Sequence, residues 1–341
     1  MFVTNSITGG GAERSMNLVT NELFDRGWPV SLVPINFGVS DQVNLRCEVF
    51  PQNRQWRGGA LDTVRALWRF NKTVRSWDPD IIVLNCDLPE MFGAMLPSFR
   101  TLVVIEHSSI PWIQRVRLGK IVRRMLRLRG ATWVSVSSHI SIWPNLNKAQ
   151  AILQNPLQSI GHSTIPKEQQ RISRLIFIGR FSLEKRPEIA LKIGATTRIA
   201  LEFIGDGELR HLMEAQASRD GIRSQFRGQV QTPWQGIQAG DLLIVPSETE
   251  GDGLVVLEGL QHEIPMLVSD IPAFRRFGFP EANYCLEISD FVSRIQEYGN
   301  NLESLKVPLE IAKGILQERE LSSVGDSWEG FINQLAESPF N

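Results

Sequence analysis

The feature that most constrains the fold is an alternation that runs twice along the chain: short continuous apolar stretches, each followed by an amphipathic helical pattern. In the first half "MFVTN" is strand-like. The stretch "AERSMNLVTNELFDRG" after it sets Met16, Val19 and Leu23 at helical spacing, with Gly27 placed to end the helix. Next come "PVSLVPI", a helical stretch "LDTVRALWRFNKTVRSW", and the apolar runs "DIIVLN", "TLVVIEH" and "TWVSVS". The second half repeats the scheme with "RLIFIGR", "ALEFIGD", "DLLIVPS" and "PMLVSD", with helices in "ELRHLMEAQASRDG" and "GLVVLEGLQHE". Two further helical stretches, "FVSRIQEYGNNLESL" and "SWEGFINQLAES", close the chain. Strands that are apolar on both faces need helices on both faces, so each series predicts a parallel sheet. The expected fold is α/β, with two tandem Rossmann-like doubly wound domains. A length of 341 residues, beyond what one core usually sustains, agrees with two domains. Periodicity fades around "AILQNPLQSIGHSTIPKEQQR", which sets the expected domains at 1–155 and 156–341, with the final helix a candidate to pack back on the first.

Several function classes fall away at this point. No apolar run reaches the roughly 20 residues of a membrane span. The start has neither a basic leader nor a long apolar stretch, so a cytoplasmic protein is expected. Cys47, Cys86 and Cys285 are scattered, without metal-ligand spacing, and read as reduced thiols. Net charge is −1, but Met1–Asn155 holds 18 of the 36 basic residues and only 11 of the 37 acidic ones. The first half therefore suits an acidic or membrane-surface partner better than the second.

Four loops carry candidate chemistry. "TGGGAERS" follows the first strand, where Gly9, Gly10 and Gly11 would let a backbone approach an anion at a helix start. Its spacing is not GxGxxG, so a dinucleotide site is poorly supported, and a tight strand-to-helix turn is the alternative. "FIGRFSLEKRPE" sets Gly179, Arg180 and Lys185 in a strand-to-helix loop. Two cations five residues apart could share one pyrophosphate, or could simply be a solvated basic loop. "FIGDGELR" repeats the turn with Gly205 and Gly207. In "SETEGDGLVVLEGLQ", the amides of Gly253, Leu254 and Val255 open a helix after a strand and suit a phosphate. Glu258, one turn on, suits a ribose diol, and Glu250 would reach the sugar beyond the phosphates. Acids that merely favour a helix N-terminus are the alternative there. "DPD" at Asp78–Asp80 mimics a metal-binding motif but reads as a turn around Pro79.

Taken together these segments resemble retaining glycosyltransferases of the GT4 family, which have the GT-B architecture of two facing Rossmann-like domains. The resemblance covers nearly the whole chain. It rests on "GGAE" at Gly10–Glu13, "GR" and the later lysine at Gly179–Lys185, "GDG" at Gly205–Gly207, and the E-x7-E pattern ending at Glu258. "LQNPL" at Leu153–Leu157 resembles the family's interdomain segment. The resemblance implies that Glu258 binds the donor ribose, that Glu250 contacts the transferred hexose, and that Arg180 and Lys185 hold the diphosphate. His107, at a strand end in "VVIEHSS", is the best match to a histidine that touches the donor sugar. The implied reaction is front-face displacement with retention from a UDP- or GDP-sugar to a glycan or lipid-linked acceptor in cell-surface polysaccharide assembly. The implied site needs no metal and no cofactor beyond the donor. Asp252 stands where the family has an apolar residue, and His262 and Glu263 in "LQHEIP" read as a solvated helix end. A sugar-nucleotide epimerase and a non-catalytic glycan-binding protein on the same fold are the rival readings.

The segment 111–130, "PWIQRVRLGKIVRRMLRLRG", carries Arg115, Arg117, Lys120, Arg123, Arg124, Arg127 and Arg129 and no acid. Apolar residues are interleaved with these cations. The segment is expected to lie on an anionic membrane surface on the inner face of the plasma membrane, with a solvated face as the alternative and nucleic acid not expected.

Overall fold

The computed structural model describes residues 1–8, 10–36, 44–56, 58–97, 100–108, 110–145, 147–158, 171–230 and 232–337. Gly9 and most of the expected junction, 159–170, lie outside the described residues. The chain forms two compact units, one made of Met1–Gln158 with Glu318–Asn341 and the other of Ser159–Gln317.

Unit 1 alternates β1 (Phe2–Thr4), α1 (Gly11–Asp25), β2 (Ser31–Pro34), β3 (Glu48–Val49), α2 (Ala60–Trp77) and β4 (Ile81–Asn85). It continues with α3 (Asp87–Ala94), β5 (Thr101–Glu106), α4 (Val116–Leu128), β6 (Thr132–Ser135) and β7 (Ala151–Ile152). The strands form one parallel sheet in the order β3-β2-β1-β4-β5-β6-β7. Phe2 pairs with Leu32 on one side and Val83 on the other, so the strand order reverses direction between β1 and β4. One sheet face packs under α2, α3 and α4, through Phe70, Val74, Phe92, Val122 and Leu126. The other packs under α1, through Met16, Val19 and Leu23.

Unit 2 runs β8 (Arg174–Ile178), α5 (Pro187–Thr197), β9 (Ala200–Ile204), α6 (Arg210–Arg219), β10 (Ser224–Phe226) and β11 (Asp241–Val245). Then follow α7 (Leu254–Gln261), β12 (Met266–Ser269), α8 (Pro272–Arg275), β13 (Tyr284–Cys285), α9 (Ile288–Tyr298) and α10 (Leu309–Gln317). Its parallel sheet has the order β10-β9-β8-β11-β12-β13, with the reversal between β8 and β11. The expected closing helix "FVSRIQEYGNNLESL" is broken: α9 stops at Tyr298 and a short 3-10 turn covers Leu302–Leu305.

The last helix, α11 (Leu321–Glu337), belongs to unit 1 and lies against α1. Trp328 is fully buried with its ring edge-on to Phe2, 5.3 Å between centroids. Arg26, the C-cap of α1, pairs with Asp326 and Glu329, both at 2.6 Å, and the indole N–H of Trp28 donates to Glu329. A Cβ on Gly325 would lie 2.6 Å from the Arg26 guanidinium, so glycine lets the two helices close at that point.

Asp78–Asp80 is the turn between α2 and β4. Asp78 caps α2 in the left-handed region at φ 55°. Cys47 and Cys285 are buried and Cys86 half-buried, all as free thiols.

Candidate active site

In open parallel sheets ligands bind beyond the carboxyl ends of the strands, where strand order reverses. In unit 2 that point lies between β8 and β11. The loop after β8 holds Gly179, Arg180 and Lys185, and the loop after β11 holds Ser247, Glu250, Asp252 and Gly253.

The structure brings these two loops together. Lys185 Nζ lies 2.6 Å from Glu250 Oε2, and the hydroxyl of Ser247 donates to Glu250 Oε1 at 2.8 Å. The backbone N–H of Glu248 donates to the carbonyl of Glu184 at 2.9 Å, which fastens the loops a second time. Glu250 is buried while Lys185 keeps about a quarter of its side chain in solvent. The acid is fixed, and the cation above it stays accessible to an anion. Arg180, directly after β8, is exposed.

The glycine loops explain how the backbone is held. Gly205 has φ +138°, and a Cβ there would lie 1.9 Å from the carbonyl oxygen of Gly179. A Cβ on Gly207 would lie 2.6 Å from the carbonyl oxygen of Phe181. Phe181 N–H donates to the Asp206 carbonyl and Gly179 N–H to that of Ile204, at 2.9 and 3.0 Å. The loops after β8 and β9 are therefore pressed backbone to backbone, which sets the path of the chain into Arg180.

Gly253 is not the first turn of α7. It stands at φ +67° as the N-cap, beside the ring of Phe274, and the helix starts at Leu254. No side chain caps α7, so the amides of Leu254 and Val255 open the helix without a capping carboxylate or hydroxyl. Glu258, half-buried on α7, accepts the indole N–H of Trp234 at 2.8 Å.

One sequence expectation needs correction here. His262 is buried, not solvated, because the indole of Trp234 stacks on it at 5.0 Å and 23°. Burial lowers its pKa below the ordinary 6.5. Asp252, the departure from the family's apolar position, is buried and paired with Arg276 at 2.6 Å, and Arg276 also donates to its carbonyl. Sequence reasoning missed Trp234, Ser247 and Arg276. A buried-position acid demands a counter-ion, and the arginine pair in "IPAFRRF" was the available signal for Arg276. A tryptophan alone in a polar loop was the signal for Trp234.

Gly10, Gly11 and His107 belong to unit 1. Gly10 is the N-cap of α1 and Gly11 its first residue, directly beyond β1. Asn85, at the end of β4, donates to Thr4 Oγ1 at 3.3 Å and to the Ala12 carbonyl at 3.5 Å. His107 follows β5 and is half-buried. Its neighbour Glu106 enters a buried network: Arg123 lies 2.5 Å from Glu106 and 2.6 Å from Glu90, and the indole of Trp112 donates to Glu90 at 2.9 Å. Burial pushes the Glu106 carboxyl up to about 7 and that of Asp87 up to about 6.

That network corrects the reading of segment 111–130. Arg123 has no surface exposure and cannot contact a membrane; its guanidinium is enclosed between Trp133 and Trp143, 5.2 and 5.7 Å from their ring centres. Only Val116–Leu128 is α-helical, and Trp112, Val122 and Leu126 point inward. The outward face keeps Arg117, Lys120 and Arg124 beside Leu118, Ile121, Met125 and Leu128, the last 79% exposed. Among the described residues no helix is long and apolar enough to cross a membrane.

Comparison with known proteins follows the same lines. Residues 164–279 match the family model for glycosyl transferases group 1. A Campylobacter jejuni GalNAc-alpha-(1->4)-GalNAc-alpha-(1->3)-diNAcBac-PP-undecaprenol alpha-1,4-N-acetyl-D-galactosaminyltransferase is 23% identical over 278 residues, 77% of either chain. Anabaena HepE, solved with UDP and glucose, superposes with a TM-score of 0.74 at 18% identity, covering 97% of this chain and 98% of its own. The lipopolysaccharide outer core galactosyltransferase WaaB superposes with a TM-score of 0.66 at 18% identity over 98% of both chains. The chain is a glycosyltransferase of the GT-B fold, with the group 1 glycosyl transferase region at residues 164–279 in its second half.

Proposed function

We propose that the protein moves a hexose, with retention, from a UDP- or GDP-sugar to a glycan or lipid-linked acceptor in cell-surface polysaccharide or lipopolysaccharide assembly. The observation that carries this reading is the 2.6 Å pair of Lys185 with Glu250, which joins the cationic loop after β8 to the acidic loop after β11. A diphosphate over that pair would meet Lys185, Arg180 and the opening amides of α7, while Glu258 would face the ribose. Glu250 would then hold the hexose. His107 and Gly10–Gly11, on unit 1, keep in this proposal the roles toward donor sugar and anion that the sequence gives them. The bond between the anomeric carbon and the diphosphate oxygen breaks, and its electron pair leaves with the phosphate. The acceptor hydroxyl attacks from the same face and its proton passes to that departing oxygen. Lys185 and Arg180 would together stabilise the developing charge as a divalent ion would, so turnover should survive EDTA.

The relatives support the parts. HepE was solved with UDP and glucose, and the Campylobacter enzyme's name specifies a PP-undecaprenol acceptor. A lipid-linked acceptor in turn gives the outward face of α4 its partner, an anionic bilayer. The test is a thermal-shift titration against UDP, GDP and their sugars. A nucleotide at 100 times its Kd should add about 2.7 kcal/mol of stability. Lys185→Ala should abolish most of that gain, and Glu250→Gln should keep nucleotide binding while losing transfer. Lack of stabilisation by either nucleoside diphosphate, or an unaltered response in Lys185→Ala, would refute the reading.

A further inference from the structure

The membrane reading of α4 leaves a second exposed apolar surface of unit 1 unexplained, on α2. Helix α2 buries Ala66, Phe70 and Val74 against the sheet. Its opposite side is not the polar face that a helix over a sheet normally shows. Leu61, Val64 and Trp68 are 76%, 62% and 67% exposed, and Trp56, just before the helix, is 60% exposed. Positions 61, 64, 68, 72 and 75 recur at three- and four-residue spacing, so the three apolar residues continue in line into Lys72 and Arg75. Lys72 Nζ sits 6.0 Å from the ring centre of Trp68.

We infer that the outward face of α2 is a second membrane-contact surface, which acts with α4 to seat unit 1 on an anionic bilayer. This inference rests on the membrane reading of α4. Helices α2, α3 and α4 all cover one face of the unit 1 sheet, so their outer surfaces look the same way. The aromatic contact of Phe70 with Phe92 couples α2 to α3, and α3 packs on α4. With neighbouring helices about 8–10 Å apart, one plane can touch both outer helices.

Charge decides the occupant. The exposed charged residues of α2 are Arg65, Lys72 and Arg75, and those of α4 are Arg117, Lys120 and Arg124. The one acid on α2, Asp62, is half-buried and accepts the backbone N–H of Gln55. On α3, Glu90 is buried in the Arg123 network and Asp87 accepts the backbone N–H of Trp112. The three helices therefore show solvent apolar side chains and cations and, among their described residues, no exposed acid; the exposed acid that caps α2, Asp78, is paired with Arg100. Exposed tryptophan beside lysine, with leucine and valine on the same stripe, matches what anionic headgroups over acyl chains accept. Among the described residues of unit 2 the exposed large apolar ones are Leu183, Leu212, Leu286 and Leu309, each on a separate segment.

The test compares the full chain with Leu61→Ser/Val64→Ser/Trp68→Ser and with Ile121→Ser/Met125→Ser, in co-sedimentation with phosphatidylglycerol or phosphatidylcholine vesicles. The α2 variant should lose at least about tenfold in partition to phosphatidylglycerol, while its unfolding midpoint and its stabilisation by nucleotide stay unchanged. The wild type should bind phosphatidylcholine weakly. If the α2 variant partitions like the wild type while the α4 variant does not, the α2 surface is no membrane contact and the α4 reading survives. If the wild type ignores both vesicles, both readings fall, yet nucleotide binding can still stand. A concentration-dependent dimer abolished by the α2 substitutions would replace the bilayer with a second copy of this chain. Should the triple variant fail to fold, Trp68→Phe keeps the shape and should reduce the fluorescence quenched by brominated phosphatidylglycerol; unchanged quenching would overturn the proposal.

Discussion

Trp234 ties a residue of α7 and the helix's C-cap to one indole: its N–H reaches Glu258 and its face covers His262. In the proposed reading Glu258 holds a ribose, and the indole fixes the carboxylate before the ligand arrives. Hydrogen bonds to charged groups contribute about 1.5–3 kcal/mol. Trp234→Phe keeps the stacked ring but loses the N–H, so Kd for the nucleotide should rise roughly tenfold with little change in the maximal rate, as calorimetry and steady-state kinetics would show. The histidine on the other face gives a pH signature. Its folded pKa lies below 6.5, so below that value the unfolded chain binds the proton more readily than the folded one. The stability it contributes is present above pH 6.5 and is lost as pH falls toward the folded pKa. Denaturation midpoints of the wild type should therefore drop on acidification below about pH 6.5 by more than those of His262→Phe. Parallel pH profiles would contradict the assignment.

At the scale of elements, the turn glycines carry more than punctuation. Gly205 was legible as a turn residue, but not the reason for it, which is the carbonyl of Gly179 pressed against its missing side chain. Gly205→Ala combines a left-handed strain with a clash against backbone, which has no rotamer to yield. A loss of about 2–4 kcal/mol is expected, or roughly 5–12 °C in the unfolding midpoint for a unit of this size. Differential scanning calorimetry would measure it. The central strands and the helices α1 and α2 stood out in the sequence because their apolar stretches are long, while α6 and α7 were legible from the glycine turns that precede them. The edge strands β3, β7, β10 and β13 did not, since two or three residues hold no period. Helix α4 shows the limit of charge patterning. Composition marks Arg123 and Arg124 alike, and only the buried carboxylates Glu90 and Glu106, 33 and 17 residues upstream, decide which one faces inward.

For the molecule as a whole, the tandem α/β plan was readable because each sheet needs two helical layers, and the charge excess of the first half pointed to unit 1. What sequence could not place were pairings made across loops: Lys185 with Glu250, Asp252 with Arg276, Trp234 with Glu258. Each joins segments separated by 24 to 65 residues, beyond the reach of local periodicity.

The placement of α11 against α1 and Phe2 means that unit 1 borrows its closing piece from far downstream. A ribosome finishes every strand of both sheets before it releases the helix that covers Phe2. Until then the nascent first unit shows water the greasy flank that Trp328 will later cover.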